Sequence, residues 1–185
     1  MSMPAALDRF YTREEVLAFP DDGNRYELVH GELLVSPAPR LSHQDAVLAL
    51  ALLLAPYVTK HGVGKLHISP SDLSWGGRSD VTVQPDVFVV APQDHPAREW
   101  IDVRQLSLVI EVLSPSTARH DRFTKRRLYQ EMQVPLYWLI DLDARRAEVW
   151  TPEATFPVIE TRVLTWQPAA AAASFTLALE TLFQD

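Results

Sequence analysis

The chain has 185 residues, 47% of them apolar and 22% charged, enough to bury a real core and most simply one compact domain over residues 1–185. A formal net charge of −7 argues against a protein that coats nucleic acid through a generally basic surface, and the lack of cysteine removes disulfides, thiol nucleophiles and thiolate metal sites together. Any metal must be held by oxygen or imidazole; the longest apolar run, about residues 46–56, is too short for a membrane span and lies too far inside for a signal peptide, so a soluble cytoplasmic chain is expected.

In chain order, TREEVLAF opens a short helix at Thr12, with Glu15 three residues on in capping-box spacing. RYELVHGELLVSP reads as a hairpin, because two alternating runs flank a turn at His30 and Gly31. Ser42 then caps a long apolar helix through about Lys60, in which Pro56 should kink or end the ladder. Short strands follow near 65–69, 72–75 and 80–90, with GGRS as the turn between the last two. Residues 92–105 have no clear period and read as loop. A strand over 107–113, a helix from about 117 to 132, and strands over 136–141 and 146–151 come next. Five alanines at 169–173 are too few to define an element. Hairpins and helices around one apolar strand suggest an α/β (α+β) sandwich with a mixed sheet rather than strict βαβ alternation.

The stretch LVIEVLSPST, residues 108–117, places Glu111 directly after three aliphatic residues. A carboxylate there is expensive to desolvate unless a cation or donors meet it. QPDVFVV, residues 84–90, sets Asp86 at the mouth of a second apolar strand. If the two strands lie side by side, the two acids repel, and only a shared proton or a cation relieves them. Oxygen ligands of this kind suit Mg²⁺ or Mn²⁺, which keep water positions open for a substrate phosphate. Taken alone, Asp86 reads more readily as a turn or cap residue and Glu111 as an end-of-strand charge.

The following helix carries Asp121, Lys125 and Tyr129 at i, i+4, i+8, on one face. The chain has three lysines against 14 arginines, so an ammonium at 125 stands out. A compact point charge can orient a nucleophilic water or neutralise a phosphorane where a guanidinium fits poorly; the plainer reading is a surface pair with Asp121. Five cations within RHDRFTKRR, residues 119–127, face only Asp121, leaving about +4 by formal count; alone, such a run is a solvated helix face. His43, in the first turn of the long helix, could approach a phosphate or a metal-bound water, although a lone histidine is more often structural. Glu27 and Glu32 on the hairpin rank below it, and either could complete an acidic cluster. Tyr137 and Trp138 read as core and edge aromatics, with base stacking the lesser alternative.

These pieces, PD at 85–86, EVLSPST from 111, the Asp121/Lys125/Tyr129 helix, VPLYWLID from 134, YELVHGEL at 26–33, SPAPRLSH ending at His43 and the closing LALETLF, resemble in order the Uma-type putative restriction endonuclease family. That family, long catalogued as a domain of unknown function, belongs to the PD-(D/E)xK nuclease superfamily, and the likeness runs from about residue 10 to 183. The resemblance implies a restriction-endonuclease-like mixed sheet flanked by helices, with Asp86 and Glu111 as metal ligands and Lys125 as the catalytic lysine. Leu113 stands where the superfamily signature usually has lysine, so the basic group has moved to the helix. Gln133 replaces the glycine usual before the VPxYW stretch, and Leu136 replaces its usual glutamate; the two changes touch a turn and a strand entry.

The resulting expectation is an Mg²⁺- or Mn²⁺-dependent endodeoxyribonuclease, with Arg119, Arg122 and Arg126 guiding the DNA backbone through salt-sensitive contacts. A homodimer would supply two sites for two strands. The alternative is a catalytically inactive nuclease-fold domain whose acidic surface binds a protein partner. Neither HExxH nor a glycine-rich phosphate loop is present, which sets aside zinc hydrolases and nucleotide-binding enzymes.

Overall fold

The structure, a computed structural model, describes residues 9–94 and 97–183. Its first helix, α1 (Arg13–Leu17), starts from the expected capping box: Thr12 accepts from the Glu15 amide while the Glu15 carboxylate accepts from the Thr12 amide. The hairpin of β1 (Arg25–Val29) and β2 (Glu32–Ser36) turns through His30 and Gly31, both at positive φ, as a tight antiparallel connection requires. Helix α2 (Leu41–His61) begins earlier than expected. Residues 37–39 contain two prolines, Arg40 is still extended, and no side chain caps the helix, so Ser42 sits inside the first turn. Nor does Pro56 end it. The proline lies on the exposed side together with Leu52, whose freed carbonyl can turn to water, and the helix continues until Gly62 closes it in the left-handed region.

The main sheet has six strands in the order β3 (Lys65–Ile68), β4 (Val87–Val90), β5 (Leu106–Val112), β6 (Tyr137–Asp141), β7 (Arg146–Trp150) and β8 (Val158–Glu160). Only β5 and β6 run parallel; every other neighbour is antiparallel, so the sheet is mixed. Two further strands, β9 (Val163–Trp166) and β10 (Phe175–Ala178), form a separate antiparallel pair. The expected strands at 72–75 and 80–86 shrink to single bridges, Leu73 with Val83 and Leu28 with Thr82. Pro85 has no amide for a ladder, so β4 starts only after Asp86. The expected loop at 92–105 contains two short 3₁₀ turns, Pro92–Asp94 and Trp100–Asp102; its residues 95 and 96 lie outside the described residues.

Alternation along the strands divides the core in two. On one face, Val87, Val89, Leu108, Ile110, Trp138 and Ile140 meet Leu50, Leu54 and Val58 of α2 and the β9–β10 pair. By length and mean hydropathy α2 would suit a membrane span, but its buried stripe is a wall of this core. On the other face, Phe88, Val109, Tyr137 and Leu139 meet Val29 and Leu34 of the hairpin and Leu128 and Tyr129 of α3 (Arg126–Glu131). The helix expected from 117 to 132 is α-helical only in this second half; His120–Lys125 is π-helical. A π turn is wider than an α turn and recurs at functional positions.

Candidate active site

Register explains why the two strand acids meet. Val87 pairs with Ile110 across β4 and β5, so Asp86 and Glu111 stand one step beyond that pair, on the face that carries Phe88 and Val109. The Asp86 amide donates to Glu111 Oε2 at 3.3 Å, and the Val112 amide donates to Asp86 Oδ2 at 2.9 Å. From the covering side, β1 brings Arg25 and Glu27, two residues apart and hence on one face. The π turn brings Asp121 and Lys125, and α3 brings Tyr129. His43 reaches in from the first turn of α2. These side chains line one cleft of about 220 Å³, except Tyr129, which lies beneath Glu111.

Lys125 is the hub. Its Nζ lies 2.5 Å from Glu111 Oε1, 2.9 Å from Glu27 Oε1 and 3.6 Å from Asp121 Oδ1, with the lysine only 1% exposed. Burial alone would lower its pKa, but the charges of Glu111, Glu27 and Asp121 outweigh burial and raise it well above the ordinary value. It is therefore an ammonium. Glu111 also accepts from the Tyr129 hydroxyl at 3.0 Å. Burial pushes Glu111 up, and repulsion from Asp86, Asp121 and Glu27 adds to it against the pull of Lys125. Asp121 rises to about 6, again mainly through burial, while its backbone carbonyl accepts from the Tyr137 hydroxyl at 3.1 Å.

Asp86 goes the other way. Burial would raise it, but the His43 hydrogen bond and the charges of Arg25, His43 and Lys125 bring it down to about 2. Arg25 donates to Asp86 Oδ1 at 3.0 Å and to the Gln84 carbonyl at 3.1 Å, and His43 Nε2 lies 3.1 Å from Asp86 Oδ2. Since that carboxylate is ionised, Nε2 carries the hydrogen. Four carboxyl groups thus share the cleft with two cations, Lys125 and Arg25, a formal excess of acid that the raised Glu111 and Asp121 reduce by holding protons.

The structure brings together Asp86, Glu111, Lys125, Asp121, Tyr129, His43 and Glu27. Glu32 it leaves out: paired with Val29 at the turn end of the hairpin, it is exposed. The three arginines expected to guide DNA do not line the cleft. Arg119 is exposed; Arg122 holds Asp141 and Glu148, both at 2.7 Å; Arg126 donates to Gln130 and to the Arg122 carbonyl and lies 4.6 Å over the Trp150 ring. Arg25 was missed by sequence reasoning, although its place two residues before Glu27 in an alternating run would have put both on one face.

The family model described as "Uma2: Putative restriction endonuclease" matches residues 13–180. The chain belongs to this family. Its fold is also that of a crystal structure described as a putative nuclease belonging to DUF820 from Anabaena variabilis, with a TM-score of 0.72 and 22% identity, over 93% of this chain and 97% of that one. No curated protein matches. Gln133, just before VPLYW, closes α3 at φ 55, a left-handed conformation that glycine adopts freely and a side chain does not.

Proposed function

We propose that the protein is a metal-dependent endonuclease that hydrolyses phosphodiester bonds in DNA. The observation that carries this reading is the meeting of Asp86 and Glu111, from two neighbouring strands, beside a buried ammonium in an open cleft with a formal excess of acid. The donor set fits a hard divalent ion. It offers carboxylate oxygens, its formal excess of acids over cations would be relieved by a metal ion in place of protons, and its two strand acids are the number that Mg²⁺ uses when it keeps waters and takes further ligands from phosphate. Among the described residues no three acids or imidazoles form a ready cage, so an ion held by the two strand acids would need its remaining ligands from water and phosphate. Asp86 and Glu111 would hold Mg²⁺ or Mn²⁺, which when bound neutralises phosphate charge and acidifies water.

The remaining work falls to the chain itself. Lys125, fixed by three carboxylates, stays protonated and cannot accept a proton; its role is to orient the attacking water and to face the charge that builds on the phosphorus oxygens. His43 and Arg25 hold Asp86 ionised and aimed, and Tyr129 holds Glu111. A chain with one cluster cuts one strand at a time, so a double-strand break calls for two copies. The test is cleavage of supercoiled plasmid in Mg²⁺ and Mn²⁺. The native chain should nick it and Asp86→Ala should not; absence of cleavage with every divalent metal, or equal cleavage by the variant, removes the proposal.

A second reading has one observation in its favour: each strand acid already has donors from the protein, so the network is closed without a ligand. It makes the domain an inactive scaffold that binds a protein partner. Titration calorimetry with Mn²⁺ separates the two, because a working site binds the ion and loses it in Glu111→Gln, whereas a scaffold gives no heat with either protein.

A further inference from the structure

We propose that the outer face of α2 is a dimer interface, packing antiparallel against the same face of a second copy of this chain. The inner stripe of α2, with Leu50, Leu54 and Val58, faces the core. The opposite side of such a helix is ordinarily polar. Here it is not. Leu41, Leu48 and Leu52 stand 78%, 57% and 66% exposed, and Asp45 and Lys60 are the only Asp, Glu, Lys or Arg among the 21 residues of the helix. Single surface leucines need no account, but these share one stripe of one helix.

The stripe has the spacing of a seam between helices. Leu41, Asp45, Leu48, Leu52, Ala55 and Thr59 recur at steps of four, three, four, three and four, the alternation that keeps a line of side chains turned to one neighbouring helix. Its charges select the partner and the direction. Asp45 and Lys60 are exposed toward opposite ends of the helix, and neither has an ion pair among the described residues. A parallel pair of α2 helices would set Asp45 on Asp45 and Lys60 on Lys60. An antiparallel pair about a two-fold axis near Leu52 interleaves the leucines of both copies at the centre. It also brings Asp45 of each copy to the turn that carries Lys60 of the other, twice over by symmetry. The Leu52 carbonyl that Pro56 frees keeps a water there, as polar groups within interfaces commonly do. A lipid surface fits less well, since one lysine makes no basic rim and the chain carries a net charge of −7. The dimer stands on this helix alone, not on the nuclease reading. It would nonetheless supply the second copy that a double-strand break needs, with the two clefts set on the order of 30 Å apart along the helix pair.

The test is sedimentation velocity of the full chain over a range of concentrations. The native chain should pass from monomer to dimer as concentration rises. Leu52→Glu, which sets two carboxylates across the two-fold axis, should stay monomeric while its far-UV circular dichroism matches the native spectrum. Asp45→Lys and Lys60→Asp should each weaken the dimer roughly tenfold at low salt, because each turns two attractive pairs into repulsive ones. Combining Asp45→Lys with Lys60→Asp should restore it to within about twofold of native. These charge reversals decide the matter even if Leu52→Glu fails to fold. A native chain that is monomeric throughout overturns the proposal, as does a dimer that survives Leu52→Glu or a double variant no tighter than the single ones. Flotation of a monomeric native chain on phosphatidylcholine vesicles would likewise overturn it and assign the face to lipid. Plasmid cleavage is read separately, so the nuclease reading stands or falls on its own.

Discussion

The segment from His120 to Glu131 carries charge on two sides, and the two sides behave in opposite ways. Inward, Lys125 faces Glu27, Glu111 and Asp121 under nearly complete burial, and both Glu111 and Asp121 are pushed up. Outward, Arg122 bridges Asp141 and Glu148 with its own side chain 27% exposed. There burial, the largest influence on Asp141, is outweighed by the Ala144 amide and the Arg122 guanidinium, and its pKa falls. Both sides place one cation among acids. The difference lies less in water, since Glu148 is itself buried, than in the ratio of acids to donors: the guanidinium of Arg122 meets two acids with separate nitrogens, whereas the one ammonium of Lys125 is shared by three.

The largest expected effect tests that contrast directly. Lys125→Met strands Glu27, Glu111 and Asp121 without their cation, and breaking a buried pair of this kind costs roughly 3–5 kcal/mol. Arg122→Met leaves Asp141 partly solvated but strands the buried Glu148 with only Trp150 Nε1 at 3.4 Å, and since one acid rather than three loses its cation it should cost less, about 1–3 kcal/mol. Urea unfolding of the two variants gives the comparison; equal losses would show that the inner cluster is an ordinary structural network.

The pH dependence sharpens it. Asp121 holds its proton up to about 6 in the folded chain, against an ordinary value of 3.8, so between those values the folded state binds more protons than the unfolded. Stability therefore falls as pH rises through that window, and the loss is complete above it. Asp121→Asn keeps the side chain neutral throughout. It should match the native chain near pH 4 and exceed it at pH 7 by on the order of 1–3 kcal/mol. Glu111 is raised as well, so part of the native slope should persist in the variant. Thermal melts across this range give the difference, and a gap that does not grow with pH would refute the assignment.

What the sequence reveals about this cluster follows from how local each signal is. Asp86 and Glu111 are legible because an acid next to an apolar strand is anomalous in itself, and period-2 alternation then sets their face. Lys125 is legible through its rarity and its spacing from Asp121 and Tyr129. Glu27 and Glu32 could not be ranked correctly, because both lie on the same face of the hairpin; only the depth at which the hairpin crosses the sheet separates them, and that is a tertiary fact. The role of Arg122 was hidden for a similar reason, since Asp141 and Glu148 arrive from β6 and β7, later in the chain. The strands β8 to β10 span three or four residues each, too short for periodicity to register.

The smallest expected effect bounds the comparison from outside, at a position that touches neither charge cluster. Gln133 ends α3 at φ 55, where a side chain costs about 1 kcal/mol that glycine avoids. Its amide donates to the Gln130 carbonyl at 3.0 Å, and the Val134 amide donates to the Tyr129 carbonyl at 2.9 Å, so the backbone closure survives without the side chain. What glycine loses is the bond from Gln133 Nε2 to the Gln130 carbonyl, an exposed contact that water can replace. Gln133→Gly should therefore stabilise the chain by about 0.5–1 kcal/mol, a rise of roughly 1–4 °C in Tm, with the same gain at pH 4 and pH 7 because no titrating group is involved. A gain that varied with pH would mean that the turn transmits to Tyr129 and Glu111, and the separation drawn between backbone strain and buried charge would fail.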